Sequence, residues 1–377
     1  MKITLKKTEE QVELVKAMAS RNRDVAYEAQ MALAEFISPV LVKVINQAPV
    51  LSNLFNNFTF NEMDSPSLPL DLYYDITAPE YVKVYSTSVP GGLPTNTVVP
   101  TVSEMKFTTY RLDSAVDFDK RYAAKSRMDV VGKTFTRIAQ EVLLKMEATS
   151  QSLLLGALFD AKTNSADHFV TAAGKTLILD DFNELLTKAK RINTAWTGSA
   201  PEGGRIKGIT DLIMSPEMVK GLREMAYNPV NTRTGPGASD NGIPATDSMR
   251  DGIYANAGIP EFFGISIMEI NELGPNHKIM EAMKDLSEAD SSKGAGGLST
   301  GTTFKAEDDM AIGLDRSRES LFRAVATDAE NGSELNLVAD DQYSVRQSKI
   351  GYFGSMEEGR MILDNRVLTG IKLSLSS

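Results

Sequence analysis

Two histidines, His168 and His277, and the carboxylate runs Glu307 to Asp309 and Glu357 to Glu358 are the side chains here whose type permits acid–base or metal chemistry. A Ser-His-Asp relay needs a histidine held between a nucleophile and a carboxylate. His168 lies in NSADHFV and His277 in GPNHKIM, both turn-like and without a nucleophile-elbow pattern, so each is expected to be an exposed or capping side chain. Two isolated histidines do not make a metal set. Paired carboxylates serve as acid and base only when burial separates their pKa values. AEDD and MEEG sit in turn-like settings and are expected to be solvated charges or salt bridges between chains.

The absence of cysteine removes disulfides, thiolate nucleophiles, iron–sulfur clusters and thiolate-bound zinc. The glycines of KGAGGLSTGTT lack the G-x-x-x-x-G-K-[ST] spacing and are read as a surface loop. One charge cluster stands out: Lys120, Arg121, Lys125, Arg127, Lys133 and Arg137, opposed only by Asp129. It reads as a solvated helix face, or as a surface for weak, sequence-independent contact with phosphates or acidic neighbours. No aromatic interleaving supports base stacking. An enzyme is therefore not expected, and no catalytic, cofactor-binding or metal-binding residue is assigned.

The elements around these residues explain more. At 377 residues, 42% hydrophobic and 24% charged, the chain has a folded composition and length for two or three domains. A net charge of −10 weighs against binding nucleic acid through a broad basic surface, while leaving room for a local basic face. The opening MKITLKKTEEQVELVKAM has no apolar run of signal-peptide length, and no window approaches the apolar run of a membrane span. Synthesis and folding in the cytoplasm are expected.

Apolar residues from Thr8 to about Asn46 recur at helical spacing, with a capping box at Thr8 to Gln11 and a break at Pro39, after an extended first ten residues. Phe58 to Phe118 is β-rich, YVKVYSTS and YRLDSAVDF flanking the breaker-dense VPGGLPTNTVVPT, which predicts a long hairpin with too little apolar surface for a core of its own. Met128 to Phe159 runs without proline; Val131, Phe135, Ile138, Val142 and Met146 share one face and Lys133 and Arg137 the other. That is a helix of roughly 45 Å. DDFNELLTKAKRI follows as a helix with Asp181 and Glu184 at capping-box spacing, then the strand IKGITDLIM and a helix with Ser215 as N-cap and Pro216 in its first turn. A breaker-rich loop (228–252), the strand FFGISIMEI, the loop SSKGAGGLSTGTT and the strands of DDMAIGLDRSRESLFRAV lead to a closing segment rich in apolar residues. No fixed-period repeat is visible.

This order resembles the major capsid protein of tailed bacteriophages, the Hong Kong 97 type shell protein, over most of the chain. The local matches are LDDFNELLTKAKRI followed by DLIMSPEMVKGLREM, then IPEFFGISIMEI, and YSVRQSKIGYFGSMEEGRMILDNRVLTGIKL at the end. The resemblance implies an α+β fold with an N-terminal arm (1–57), an extended β-hairpin E-loop (58–118), a long spine helix opening a peripheral domain (119–175), an axial domain (176–305) and returning peripheral strands (306–377). It implies hexamers and pentamers in an icosahedral shell around packaged double-stranded DNA, held by weak non-specific contact. Partners would be further copies of the chain, a portal, a scaffold and decoration proteins, with no membrane and no cofactor. The location would be the virion capsid, assembled in the host cytoplasm.

Some members of that family carry a long N-terminal scaffolding domain removed by a protease; with the arm close to Met1, a separate scaffold or none is expected here unless the sequence is a trimmed one. Lys83 and Lys106 flank the hairpin tip, but crosslinking is not expected. Arm and hairpin would clasp neighbours, so deleting Pro90 to Pro94 should impair assembly while leaving the subunit folded. The 228–252 loop would lie near the capsomer axis. The closing strand would pack beside the spine helix, with Arg346, Lys349, Glu357, Glu358, Arg360 and Arg366 in salt bridges between subunits. An encapsulin-like compartment enclosing protein cargo shares the fold; a soluble α/β enzyme or binding protein is the remaining alternative.

Overall fold

The computed structural model describes residues 8–47, 51–61, 64–69, 104–160, 162–163, 166–172, 174–197, 208–225, 261–292, 303–317, 320–327, 333–340 and 347–375. The hairpin tip 89–101, Lys83, the 228–252 loop, most of the glycine-rich loop and Arg346 lie outside them.

In chain order the helices are α1 (Glu9–Ala17), α2 (Arg23–Gln47), α3 (Lys120–Ala124), α4 (Met128–Phe159), α5 (Leu179–Thr197), α6 (Pro216–Met225) and α7 (Lys278–Ser292). The strands are β1 (Asn56–Asn61), β2 (Ser67–Pro69), β3 (Glu104–Lys106), β4 (Thr109–Asp119), β5 (Lys162–Thr163), β6 (Ala166–Asp167), β7 (Phe169–Thr171), β8 (Asp211–Met214), β9 (Glu261–Phe262), β10 (Ile265–Glu269), β11 (Asp309–Leu314), β12 (Leu321–Thr327), β13 (Asn336–Asp340), β14 (Lys349–Ile362) and β15 (Leu368–Leu373). This is an α+β chain in two compact units, each assembled from separated stretches of sequence.

The first unit is built on the order β1-β12-β14-β13, with β4 pairing β14. The β4–β14 ladder is antiparallel over eleven residue pairs, from Thr109 opposite Gly359 to Asp119 opposite Lys349. Against this sheet lies α4, whose predicted stripe is its buried face: Val131, Phe135, Ile138, Val142 and Met146 are all at most 3% exposed. Phe135 meets Tyr352 of β14 with ring centroids 5.0 Å apart. By length and composition α4 could also span a membrane, contrary to the sequence expectation. Its apolar stripe is covered by its own sheet instead.

The N-terminal helices join the same core, with Val15, Met18, Leu33, Ile37, Leu41 and Ile45 at most 2% exposed. Two local expectations are corrected. The Thr8 side chain makes no capping bond. Pro39 does not break the helix, because α2 runs through it to Gln47. Pro39 stands on the exposed side of α2, where the carbonyl of Glu35, deprived of its i+4 donor, is not sealed in the core.

The second unit is a six-stranded mixed sheet, β7-β15-β11-β8-β10-β9, accompanied by α5, α6 and α7. Phe182, Leu185 and Ala189 of α5 pack with Leu212, Met214, Ile371 and Leu373 in its core, and Ile192 is buried too. Ser215 caps α6 as predicted, its Oγ accepting from the Met218 N–H at 3.1 Å. Asp181 does not start α5. The helix begins at Leu179, and Asp181 reaches back to accept from the Ile178 N–H at 3.4 Å.

The closing segment divides. β14 packs on α4 in the first unit, whereas β15 inserts between β7 and β11 in the second. The expectation of a last strand beside the long helix is thus corrected. A Cβ on Gly370 of β15 would fall 2.5 Å from the Phe169 ring, so any larger residue there forces the ring aside.

Candidate interaction surfaces

The residues first singled out for chemistry do not converge on a catalytic site. His168 is not exposed: it is fully buried beside β7, with Nδ1 2.9 Å from the Leu368 carbonyl. His277 is exposed in the turn before α7. Among the described residues no group of three or more His, Asp or Glu could hold a metal ion.

The carboxylates depart furthest from expectation. Glu358 and Arg360 are inside the first unit, not between chains. Arg323 donates from Nε to Glu358 Oε2 at 2.8 Å, Arg360 donates from Nη2 to the same oxygen at 3.1 Å, and the Tyr110 hydroxyl donates to Oε1 at 2.6 Å. Arg360 also reaches Ser52 Oγ at 2.8 Å and the Ser150 hydroxyl. Burial pushes the Glu358 carboxyl up, but the two guanidinium groups and the hydrogen bonds outweigh it and hold the carboxyl below its usual range. Burial, reinforced by Glu358, pushes the Tyr110 hydroxyl up to about 12.

A sequence signal for this cluster existed. Tyr352, Gly354, Met356, Glu358 and Arg360 share one parity in a strand, so the period of two puts the charges on the same face as Tyr352 and Met356. The buried partner Arg323 comes from β12, which no local pattern joins to β14.

In the second unit Asp308 meets the Lys372 ammonium at 3.1 Å. Asp309 accepts from Ser215 Oγ at 2.6 Å and from the Met310 N–H at 2.8 Å. Both carboxylates are 1% exposed. Burial pushes the Asp309 carboxyl up, and Glu217 adds to the shift, while those two hydrogen bonds oppose it.

What remains outward-facing is charge and apolar surface. Along the predicted basic face Arg121 is engaged with Asp119 at 2.8 Å and Arg137 with Glu141 at 2.9 Å. Lys125, Arg127 and Lys133 are exposed with no ion pair among the described residues. The net positive field is smaller than the residue count suggests. On α2, Val25, Tyr27, Met31, Phe36 and Val40 are 38–54% exposed although the opposite side of the helix is core. A helix apolar on nearly all sides is normally covered on all sides. Between α2 and β13 lies a cavity of about 660 Å³. These features suit binding rather than catalysis.

No protein-family profile matches the sequence, and no curated protein matches it. Solved structures do. The chain is similar to one in the capsid structure of the cyanophage P-SCSP1u, at 12% identity over 87% of this chain and 89% of that one, with a TM-score of 0.52. It is also similar to the capsid of an empty GTA particle (11% identity, 86% and 89% coverage, TM-score 0.48) and to a virus-like particle from Pyrococcus furiosus (11%, 90% and 98%, 0.43). The first likeness establishes the fold, the α+β capsid fold of Hong Kong 97 type.

Proposed function

We propose that this chain, which has the Hong Kong 97 type capsid fold, is a structural shell protein that assembles with copies of itself into hexamers and pentamers of an icosahedral shell around double-stranded DNA. The observation that carries the reading is the cyanophage capsid likeness, which runs through nearly the whole of both chains. In this reading α4 is the spine helix, the first unit holds the peripheral domain, the second holds the axial domain, and the stretch between β1 and β4, closed by the β2–β3 pair, forms the hairpin that clasps a neighbour, its expected flanks at 58–61 and 109–118 belonging instead to the first unit's sheet. The exposed apolar residues of α2 support it, because a surface of that kind is stable in water when another subunit covers it. The buried carboxylates support a structural role too, each being tied into its own unit by hydrogen bonds or ion pairs.

Net charge −10 and the partly neutralised basic face suit weak contact with packaged DNA. Portal, scaffold and decoration proteins are the further partners of such a shell, and the virion capsid, assembled in the host cytoplasm, is its place. The test is size-exclusion chromatography and negative-stain microscopy of the purified chain, followed by nuclease treatment of any particles. Closed shells that protect DNA are expected when the chain is made with its packaging partners. A stable monomer would sink the reading, and shells holding protein cargo instead of DNA would replace it with an encapsulin-like compartment.

A further inference from the structure

Asp308 and Lys372 meet in the second unit with more enclosure than an ion pair needs. Lys372 of β15 stands opposite Met310 in the antiparallel ladder with β11, and Asp308 lies two positions before Met310, immediately ahead of that strand. Asp308 is 1% exposed and Lys372 8%. Lys372 Nζ is 3.1 Å from Asp308 Oδ2 and also donates to the Thr303 carbonyl. The Phe304 ring lies over the amine with its centroid 5.4 Å from Nζ, and Phe169 packs edge-on against Phe304 at 4.9 Å.

The two oxygens of Asp308 have unequal surroundings. Oδ2 faces Lys372 and accepts from the Lys305 N–H at 2.9 Å. Oδ1 is buried and has no hydrogen-bond partner among the described residues. Such an oxygen is costly to bury while it carries charge, and much less so as a neutral carbonyl. The other ion pairs differ in kind. Glu358 has both oxygens bonded, and its cations are arginines, which do not release their protons in proteins. Lys349 with Asp117, Lys220 with Glu224 and Lys284 with Glu288 stand in solvent, where water stabilises both charges.

We propose that Lys372 and Asp308 join in an intrachain isopeptide bond that fastens β15 to the start of β11. Nζ passes one proton to Oδ2 across the existing contact, and the neutral amine attacks Cγ. The Nζ–Cγ bond forms, the Cγ–Oδ2 bond breaks, and Oδ2 leaves as water with a second proton from Nζ. One hydrogen stays on the amide nitrogen, and Oδ1 becomes the amide carbonyl oxygen. No electrons are transferred to or from another molecule, and no further reactant is consumed. The Lys305 N–H, already bonded to Oδ2, stabilises negative charge there as the tetrahedral centre forms. Holding amine and carboxyl in contact gives a high effective concentration, and the product replaces two buried charges by a neutral amide. The bond lies within one chain and does not rest on the self-assembly reading.

The intact mass of the purified full chain tests it. A mass lower by one water is expected, together with a branched tryptic peptide that carries Asp308 and Lys372 and is not cleaved after Lys372. Lys372→Arg should keep the full mass, because a guanidinium is not a nucleophile. Asp308→Asn should lose one ammonia in place of one water, since the same attack then expels the amide nitrogen. A folded wild-type chain of full mass overturns the proposal. So does a water lost within the tryptic peptide 306–316 alone, which is a succinimide at an aspartate, or a water lost equally from the Lys372→Arg chain.

Discussion

Both units bury carboxylates, and they treat them in opposite ways. In the first, Glu358 is enclosed with two guanidinium groups and a tyrosine hydroxyl, and its carboxyl is held below the usual range. In the second, Asp309 is enclosed with a serine hydroxyl and a backbone N–H and, among the described residues, no bonded cation, and its carboxyl is pushed up. Burial acts in the same direction on both. The partners decide the sign: at Glu358 the cations and hydrogen bonds outweigh burial, and at Asp309 the two hydrogen bonds do not.

The largest effect expected from that contrast follows Glu358→Ala. It leaves Arg323 and Arg360 buried without their anion and should cost about 3–5 kcal/mol. Urea unfolding of the soluble subunit measures it. Replacing Arg323, Glu358 and Arg360 together by Met, Leu and Met should recover most of the loss, because a buried ion cluster is replaceable by apolar side chains of similar volume. If the triple variant is no more stable than Glu358→Ala, the cluster has a role beyond charge compensation.

The pH dependence sharpens the comparison. The Glu358 carboxyl is depressed in the folded chain, so its contribution is fully present above the unfolded value of about 4.3 and is lost as pH falls through the lower folded value. The Asp309 carboxyl is raised, so the folded chain holds its proton more tightly. Its contribution declines as pH rises from the unfolded value of about 3.9 through the raised one. Glu358→Gln should remove the loss on the acid side and Asp309→Asn the decline on the other, read as urea midpoints from pH 3 to 7. Equal slopes in both variants would contradict the opposite signs.

Packing supplies a further test in the second unit. Gly370→Ala places a methyl 2.5 Å from the Phe169 ring within a β15–β7 ladder, and overpacking of this kind costs about 1–3 kcal/mol. Thermal unfolding should show the loss. The smallest change is expected at Phe263, a 61% exposed residue with φ of 52° in the two-residue turn joining β9 to β10. The left-handed backbone there disfavours a side chain by about 1–2 kcal/mol. The Phe263 ring packs on Phe182 and Phe262 with centroids 5.9 and 4.7 Å away, contacts worth about 0.5–1.5 kcal/mol each. Phe263→Asn should therefore shift the unfolding midpoint little in either direction.

Much of this was legible in the residues. The α4 stripe, the apolar face of α5, the Ser215 cap and the order of helices and strands are local patterns, set by the periods of 3.6 and 2 and by capping chemistry within a few positions. The resemblance to a shell protein rested on that order, and the fold agrees with it. The places where expectation failed are those governed by distant partners. His168 looked turn-like because it stands in the bend before a three-residue strand, and its ring meets the Leu368 carbonyl of β15, two hundred residues later. Pro39 looked like a break because the rule for proline is local, whereas Ile37 and Leu41 on either side hold α2 to the core.

What the sequence determined by itself was therefore which segments become helix or strand, and which face of each is apolar. Only the tertiary structure decided that the closing segment serves two sheets, that Arg323 and Arg360 meet at one carboxylate, and that Asp309 is bonded by Ser215 and a backbone N–H. Those outcomes depend on which strands become neighbours, and strand pairing between distant segments leaves no mark in the residues of either strand alone.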